Sequence, residues 1–221
     1  MTIAENTQNA MTLAASDADA ADASVTFTVS GGADQALFEI SGDTTLRFKT
    51  NSIPNYESST ADGGGQDYVV IVTASDGATP ANTATRTVTV TISDANEFAP
   101  VFGDADGDGE SSTAAASPNE GQTAVGTYAA TDADGTATIT YSVTGGADQA
   151  LFSVANGGVL TFQNAPDYEA EICGGDNVCV VVLTASDGLA GSDDDTITVT
   201  VSLQDVNEAA PVFGDADGDG E

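Results

Sequence analysis

The sequence predicts an all-β chain built from two tandem copies of one sandwich-like unit. Three observations carry that prediction. Blocks of sequence return about 111 to 114 positions later. Apolar residues alternate with polar ones at the two-residue period of a half-buried strand. Clusters of Gly, Asn, Asp and Ser punctuate the runs at the spacing expected of a sandwich.

The repeat is read directly. Gly31-Gly32-Ala33-Asp34-Gln35-Ala36-Leu37-Phe38 returns unchanged as Gly145-Gly146-Ala147-Asp148-Gln149-Ala150-Leu151-Phe152. Thr73-Ala74-Ser75-Asp76-Gly77 returns at 184–188, and Pro54-Asn55-Tyr56-Glu57 as Pro166-Asp167-Tyr168-Glu169. The block 100–110 recurs at 211–221. The expected organisation is repeat 1 over 1–102, an acidic insert over 103–112, repeat 2 over 113–213, and the start of another linker over 214–221.

Within each copy the strands follow from the alternation. Val25, Phe27 and Val29 form one, Val88, Val90 and Ile92 another. Copy 2 offers Ile139, Tyr141 and Val143, then Ile197, Val199, Val201 and Leu203. The continuous apolar runs 68–72 and 178–183 read as buried, central strands. No helical period is sustained. The Ala-rich stretch 17–23 is broken by Asp and supports a turn or two at most.

Composition then excludes function classes. The chain carries 35 Asp+Glu against 3 Lys+Arg, a net charge of -32. The bases are Arg47, Lys49 and Arg86, so nothing after Arg86 can neutralise a phosphate, and nucleic acid is excluded as a partner. Without histidine there is no Ser-His-Asp or Cys-His catalysis and no His-ligated zinc. No run approaches a membrane span. Met1 leads into a strand-like segment with no basic n-region, so no signal peptide is expected, and the chain reads as a fragment of a longer protein. Cys173 and Cys179 flank a Gly-Gly turn, a spacing that suits a disulfide across a hairpin and an oxidising, extracellular setting; the alternative is two free thiols.

The stretch 94–134 organises the rest. It begins Asp94-Ala95-Asn96-Glu97-Phe98-Ala99-Pro100, runs through the insert and closes at Thr131-Asp132-Ala133-Asp134. In both copies the acidic residues fall where strands end: Glu5, Asp17 and Asp19, Asn55 and Glu57, Asp76, Asn96 and Glu97 in the first. The second has Glu120, Asp132 and Asp134, Asp167 and Glu169, Asp187, Asn207 and Glu208. Calcium takes six to eight oxygens from carboxylates, amides and carbonyls, and gathered strand ends supply such a set. The alternative is turn-forming Asp and Asn with solvated charge.

These motifs, in this order and in both copies, resemble a tandem of cadherin repeats of the bacterial kind. Ala4-Glu5-Asn6 and Asn119-Glu120-Gly121 resemble the family's first-strand Glu motif. Asp17-Ala18-Asp19 and Asp132-Ala133-Asp134 match D-x-D; Asn55-Tyr56-Glu57 and Asp167-Tyr168-Glu169 match D-x-E. Ala74-Ser75-Asp76 and Ala185-Ser186-Asp187 match A-x-D, and 94–100 and 205–211 resemble D-x-N-D-N-x-P. The resemblance implies two seven-strand Greek-key (Ig-like) β-sandwich repeats, with about three calcium ions at the joint. Glu5, Asn55, Glu57, Asn96 and Glu97 of repeat 1 would meet Asp132, Asp134 and Asp187 of repeat 2 there, with backbone oxygens of Ala95 and Phe98. It makes Asp17, Asp19 and Asp76 one half-site, and Glu120, Asp167, Glu169, Asn207 and Glu208 another, each facing a neighbouring repeat. The sequence departs from the pattern where Asn55, Glu97 and Glu208 replace Asp, where Phe98 and Ala209 replace Asn, and in the longer linker.

That linker has its own signal. Asp104, Asp106 and Asp108 occupy positions 1, 3 and 5 of an EF-hand-like loop with Gly109 at position 6, but position 12 is Ala115. It is either a further calcium site or a self-repelling acidic tether. The implied function is a non-catalytic, calcium-stiffened spacer or adhesion module of a bacterial extracellular or cell-surface protein. Its partners would be neighbouring repeats and a homophilic or glycan ligand. The competing expectation is a calcium-dependent carbohydrate-binding module, against which stands the lack of Trp and the presence of only five Tyr. No enzyme is expected, because every conspicuous carboxylate pair belongs to a metal motif.

Overall fold

The computed structural model describes residues 1–18, 24–103, 113–134, 138–188 and 194–211. Asp19, Asp104, Asp106 and Asp108 therefore lie outside the described residues, as does most of the linker insert. The chain divides into two compact units, Met1–Asn96 and Glu97–Glu221. This division falls before Glu97. The reason is Phe102, which is 2% exposed and belongs to the core of the second unit.

Among the described residues unit 1 has seven strands: β1 (Thr2–Ala4), β2 (Asn9–Thr12), β3 (Thr26–Gly31), β4 (Phe38–Ser41), β5 (Thr45–Phe48), β6 (Asp67–Ser75) and β7 (Thr83–Ser93). They form a four-stranded sheet, β1-β7-β6-β3, and a three-stranded sheet, β2-β5-β4. β1 runs parallel to β7, so the first and last strands of the unit lie side by side. The run 68–72 lies in β6, between β7 and β3, as a central strand should. The alternation expected of 88–92 appears in β7, where Val88, Val90 and Ile92 point inward. The core is aromatic: the Phe38 and Phe48 rings sit 4.2 Å apart, and Tyr68 meets Phe48 edge-on at 5.1 Å.

Unit 2 repeats this plan with β9 (Thr113–Ala116), β10 (Ala124–Thr127), β12 (Thr140–Gly145), β13 (Phe152–Ala155), β14 (Val159–Phe162), β15 (Val178–Ser186) and β16 (Asp195–Ser202). The sheets are β12-β15-β16-β9 and β10-β14-β13. Unit 2 adds a short ribbon in which β8 (Val101–Phe102) pairs antiparallel with β11 (Ala130–Thr131). Among the described residues unit 1 has no counterpart of this ribbon.

Two repeated features have a physical cause. Gly32 and Gly146 hold φ of 101° and 94°, and a Cβ there would run into the Val69 and Val180 carbonyl oxygens. Only glycine fits where the chain passes so close to the central strand. The following Asp34 is buried and uses both carboxylate oxygens on backbone, accepting from Asp62 N–H and Val69 N–H at 2.6 Å each. Asp148 Oδ2 likewise accepts from Val180 N–H at 2.8 Å. The unchanged Gly-Gly-Ala-Asp block is a structural splice between strands.

Cys173 and Cys179 are joined by a disulfide, and both are buried. It ties the incoming turn to β15 and does not bridge a hairpin, because Cys173 precedes β15 and Cys179 lies within it. Pairing registers place Cys179 where unit 1 has Tyr68, opposite Val201 and Val90 respectively. The Tyr68 hydroxyl accepts from Thr60 N–H at 3.1 Å and so holds the same turn. A hydrogen bond in one copy and a covalent bond in the other do the same job.

Candidate metal centre

The first cluster forms around the glutamate that follows the opening strand. Glu5 is only 3% exposed. Its two oxygens accept from Tyr56 N–H at 2.6 Å and Ala95 N–H at 2.8 Å. One carboxylate thereby pins the middle loop and the chain's exit from β7. The carboxylates of Glu5 and Glu57 approach within 4.8 Å, as do those of Glu57 and Asp94. Unit 2 repeats the arrangement: Glu120 accepts from Tyr168 N–H at 2.6 Å and Val206 N–H at 2.8 Å. Around it stand two groups of three carboxylates within 4.8 Å, Glu120 with Asp167 and Glu169, and Glu120 with Asp205 and Glu208. Asn207 is exposed beside them in sequence.

The loops are pre-set by short polar side chains that bond nearby backbone. Asn55 Oδ1 accepts from Ser58 N–H at 2.6 Å, and Asp167 Oδ1 from Glu169 N–H at 3.1 Å. The replacement of Asp by Asn at position 55 thus keeps the turn while removing a charge. Asp94 and Asp205 belong to the clusters yet were not among the residues singled out from sequence. Their signal was present, since each opens the motif at 94–100 or 205–211.

The second cluster in unit 2 holds the most telling atoms. Asp134 is 1% exposed, and its Oδ2 accepts from Glu97 N–H at 2.8 Å and Phe98 N–H at 2.7 Å. Asp132 Oδ1 accepts from Asp134 N–H at 2.8 Å. Asp132 Oδ2 and Asp134 Oδ1 are buried without any hydrogen-bond partner. A buried carboxylate oxygen left unpaired is costly unless a cation satisfies it. Oxygen donors, some anionic and some peptide, are the set a hard divalent cation prefers, so these residues fit calcium. Asp187 follows β15 directly and is half-buried. In unit 1, Asp17 and Asp76 line one cavity of about 180 Å³. Asp76 is also a loop staple, accepting from Ala78 N–H at 3.0 Å and from Asn82 N–H and Nδ2 at 2.8–3.1 Å. Asn82 gave no sign of this role in the sequence.

Electrostatics follow from the crowding. Partial desolvation, against its own backbone N–H, and the carboxylates of Glu5 and Asp94 hold Glu57 above the ordinary value of 4.5. For Glu169 its own backbone N–H pulls the value down, but desolvation with Glu120, Glu208 and Asp205 outweighs it and the net shift is upward. Asp76 is lowered from 3.8, chiefly by the Ala78 N–H and then by the Asn82 side chain. A carboxyl raised in the fold stabilises it fully below its unfolded value, and that contribution is lost as pH rises through the folded value. A lowered one stabilises above its unfolded value and loses this as pH falls through the folded value. We therefore expect the Tm of calcium-free protein to rise as pH is lowered from neutral towards 4.5. A Glu57→Gln, Glu169→Gln double variant should show a smaller rise in scanning calorimetry; an equal rise would remove these two groups as a cause.

Comparison with known proteins points the same way. No family model matches. Mouse cadherin EGF LAG seven-pass G-type receptor 2 is 34% identical over 149 residues, which is 66% of this chain and 5% of that protein. Human protocadherin Fat 1 is 30% identical over 197 residues, 87% of the chain and 4% of that protein. The chain thus spans about a twentieth of the length of these relatives. Among solved structures, mouse cadherin-23 EC22-24 aligns over 94% of this chain and 63% of its own, with TM-score 0.66 and 20% identity. Human protocadherin-24 EC1-2 aligns over 93% and 94%, with TM-score 0.60 and 19% identity. These likenesses place the chain among extracellular or cell-surface modules, and among the described residues no helix is long and apolar enough to cross a membrane. In sequence and in fold the chain belongs to the cadherin family, as a pair of extracellular cadherin repeats.

Proposed function

We propose that the pair is a non-catalytic spacer or adhesion segment stiffened by calcium where one repeat follows the next. The observation that carries the reading is the buried, unpartnered pair Asp132 Oδ2 and Asp134 Oδ1. Glu5, Asn55, Glu57, Asn96 and Glu97 would join Asp132, Asp134, Asp187 and the carbonyls of Ala95 and Phe98 in holding about three ions. Asp104, Asp106 and Asp108 would hold a further one. Asp17, Asp19 and Asp76, and Glu120, Asp167, Glu169, Asn207 and Glu208, would be half-sites completed by neighbouring repeats. Without calcium, clustered carboxylates repel; with it, the ions cross-link strand ends. Extracellular calcium modules have Kd of about 10⁻⁴–10⁻³ M, which suits this role outside the cell.

The bacterial setting rests on the sequence resemblance alone, and the relatives named above are animal proteins. Carbohydrate binding gains no support, because none of the five Tyr is exposed as a stacking platform. The test is a calcium titration read by native mass spectrometry and small-angle scattering. At least three ions should bind, and chelation should broaden the distribution of interdomain angles. Fewer ions, or a scattering profile unmoved by chelator, would sink the mechanism.

A further inference from the structure

One amide in each repeat leaves an oxygen buried and unpaired. Gln66 Nε2 donates to the Tyr56 carbonyl at 2.8 Å, and Asn177 Nδ2 donates to the Tyr168 carbonyl at 2.9 Å. A carbonyl only accepts, so the NH2 end must face it and the oxygen end is turned away. Gln66 Oε1 and Asn177 Oδ1 are both buried with no hydrogen-bond partner among the described residues. Asn177 is only 6% exposed. Such an oxygen destabilises a fold, and an apolar side chain of the same shape would be tolerated as well or better. An amide at this place in both copies therefore has a reason other than stability.

The two residues occupy one place in the plan. Each lies two positions before Tyr68 or Cys179, which the pairing registers make equivalent. The backbone carbonyl of Gln66 accepts from Ile92 N–H and that of Asn177 from Leu203 N–H, both at 2.9 Å. Ile92 and Leu203 each stand two residues before the aspartate that opens the last motif, Asp94 or Asp205. Backbone geometry accounts for the difference in residue type. Asn177 sits in the left-handed region at φ 57°, which asparagine tolerates, and reaches the loop with the shorter side chain. Gln66 lies outside that region and uses the longer one.

What each amide holds is the loop between two candidate metal ligands. The peptide joining Asn55 to Tyr56 is fixed through its N–H, which donates to Glu5 Oε2 at 2.6 Å. The next peptide, joining Tyr56 to Glu57, is fixed through its carbonyl by Gln66. In unit 2 Glu120 Oε2 holds the peptide from Asp167 to Tyr168, and Asn177 holds the one from Tyr168 to Glu169. With both peptides around the tyrosine fixed, the directions in which Glu57 and Glu169 leave the backbone are fixed too. We propose that Gln66 and Asn177 are positioning residues for the metal clusters. Each orients the second carboxylate of its D-x-E loop, Glu57 or Glu169, without itself touching a cation. This role presupposes the calcium reading above and extends it to residues that lie in none of the motifs.

Gln66→Met keeps the length of the side chain and removes both the donor and the orphaned oxygen. Calcium-free Tm of the first repeat should stay level or rise, while calcium affinity measured by isothermal titration falls by about tenfold, the lower end for loss of a partner behind a metal ligand. In chelator, the NMR order parameters of 55–58 should drop from the rigid-backbone value of about 0.85, while those of β6 hold. Asn177→Gly is the second arm. Glycine accepts φ of 57° without strain, so the change removes the amide and spares the turn. It should lower the order parameters of 167–170 in the same way. Unchanged order parameters in either variant, or unchanged calcium affinity in Gln66→Met, would overturn the proposal. So would an affinity loss matched by a fall in calcium-free Tm, which would make the amide an ordinary structural bond. A parent chain that binds no calcium would overturn the calcium reading and this role together. A parent that binds calcium beside a Gln66→Met variant that binds it equally well would overturn this role alone.

Discussion

Asp134→Ala should lower the Tm of the second repeat and abolish much of its stabilisation by calcium, while Asp134→Asn should do only the second. The two variants separate two jobs of one side chain. Asp134 Oδ2 accepts from Glu97 N–H and Phe98 N–H, and Oδ1 is buried with no partner. Alanine removes the acceptor of both N–H groups. Each stranded donor costs about 1–3 kcal/mol when buried, and the lower end applies to these part-buried ones. At about 2–8 °C per kcal/mol for domains of this general size, calorimetry should find the second repeat melting several degrees lower.

Asparagine keeps an amide oxygen in the place of Oδ2 and removes the charge. The apo Tm should then stay close to that of the parent, or rise slightly, since an unpaired buried carboxylate has been neutralised. Saturating calcium should nevertheless raise Tm far less than in the parent. A ligand at 100 times its Kd contributes about 2.7 kcal/mol, and that increment shrinks as Kd rises. If Asp134→Asn showed the full calcium-dependent rise, Asp134 would not be a ligand.

Much of this is legible in the sequence. The repeated blocks and the two-residue alternation carry the strand plan, because a half-buried strand must show one face to the core. Glu5 and Glu120 can be picked out as a pair, since their types recur at matching places. Their double grip on backbone N–H groups cannot, because it depends on which loops the fold brings to them. Asn82 is a similar case. It touches Asp76 only because the turn between β6 and β7 folds back, and nothing in its neighbours marks that turn as special. Asp34 and Asp148 are visible as parts of an unchanged block, yet the block does not say what their carboxylates hold. Only the buried bonds to β6 and β15 decide for splicing. The place of Phe102 is hard to read in the sequence for a related reason. Phe102 is visible only as part of the repeated block 100–110, and the packed core alone shows that its ring belongs to the second unit.

Phe102→Ala should therefore be among the most damaging single changes in the second repeat and nearly silent in the first. Truncating a fully buried Phe costs about 3–5 kcal/mol, because the apolar contacts go and the walls close only in part. The expected loss in Tm is on the order of 10 °C or more for the second transition, with the first unmoved. Phe102→Leu keeps most of the volume and should cost about 1.5 kcal/mol or less. The change also reaches the metal cluster. Segment 97–102 is held to unit 2 at both ends, by Asp134 on the N–H groups of Glu97 and Phe98 and by Phe102 in the core. Removing the ring frees one end, so Glu97 and the Phe98 carbonyl would be less well ordered for a cation. Calcium affinity measured by isothermal titration should fall in Phe102→Ala although no proposed ligand has been touched. It should hold in Phe102→Leu. Equal affinity in both would mean that the Asp134 bonds alone position the segment. A loss in Phe102→Ala only would mean that core packing and ion binding in this repeat are coupled through six residues.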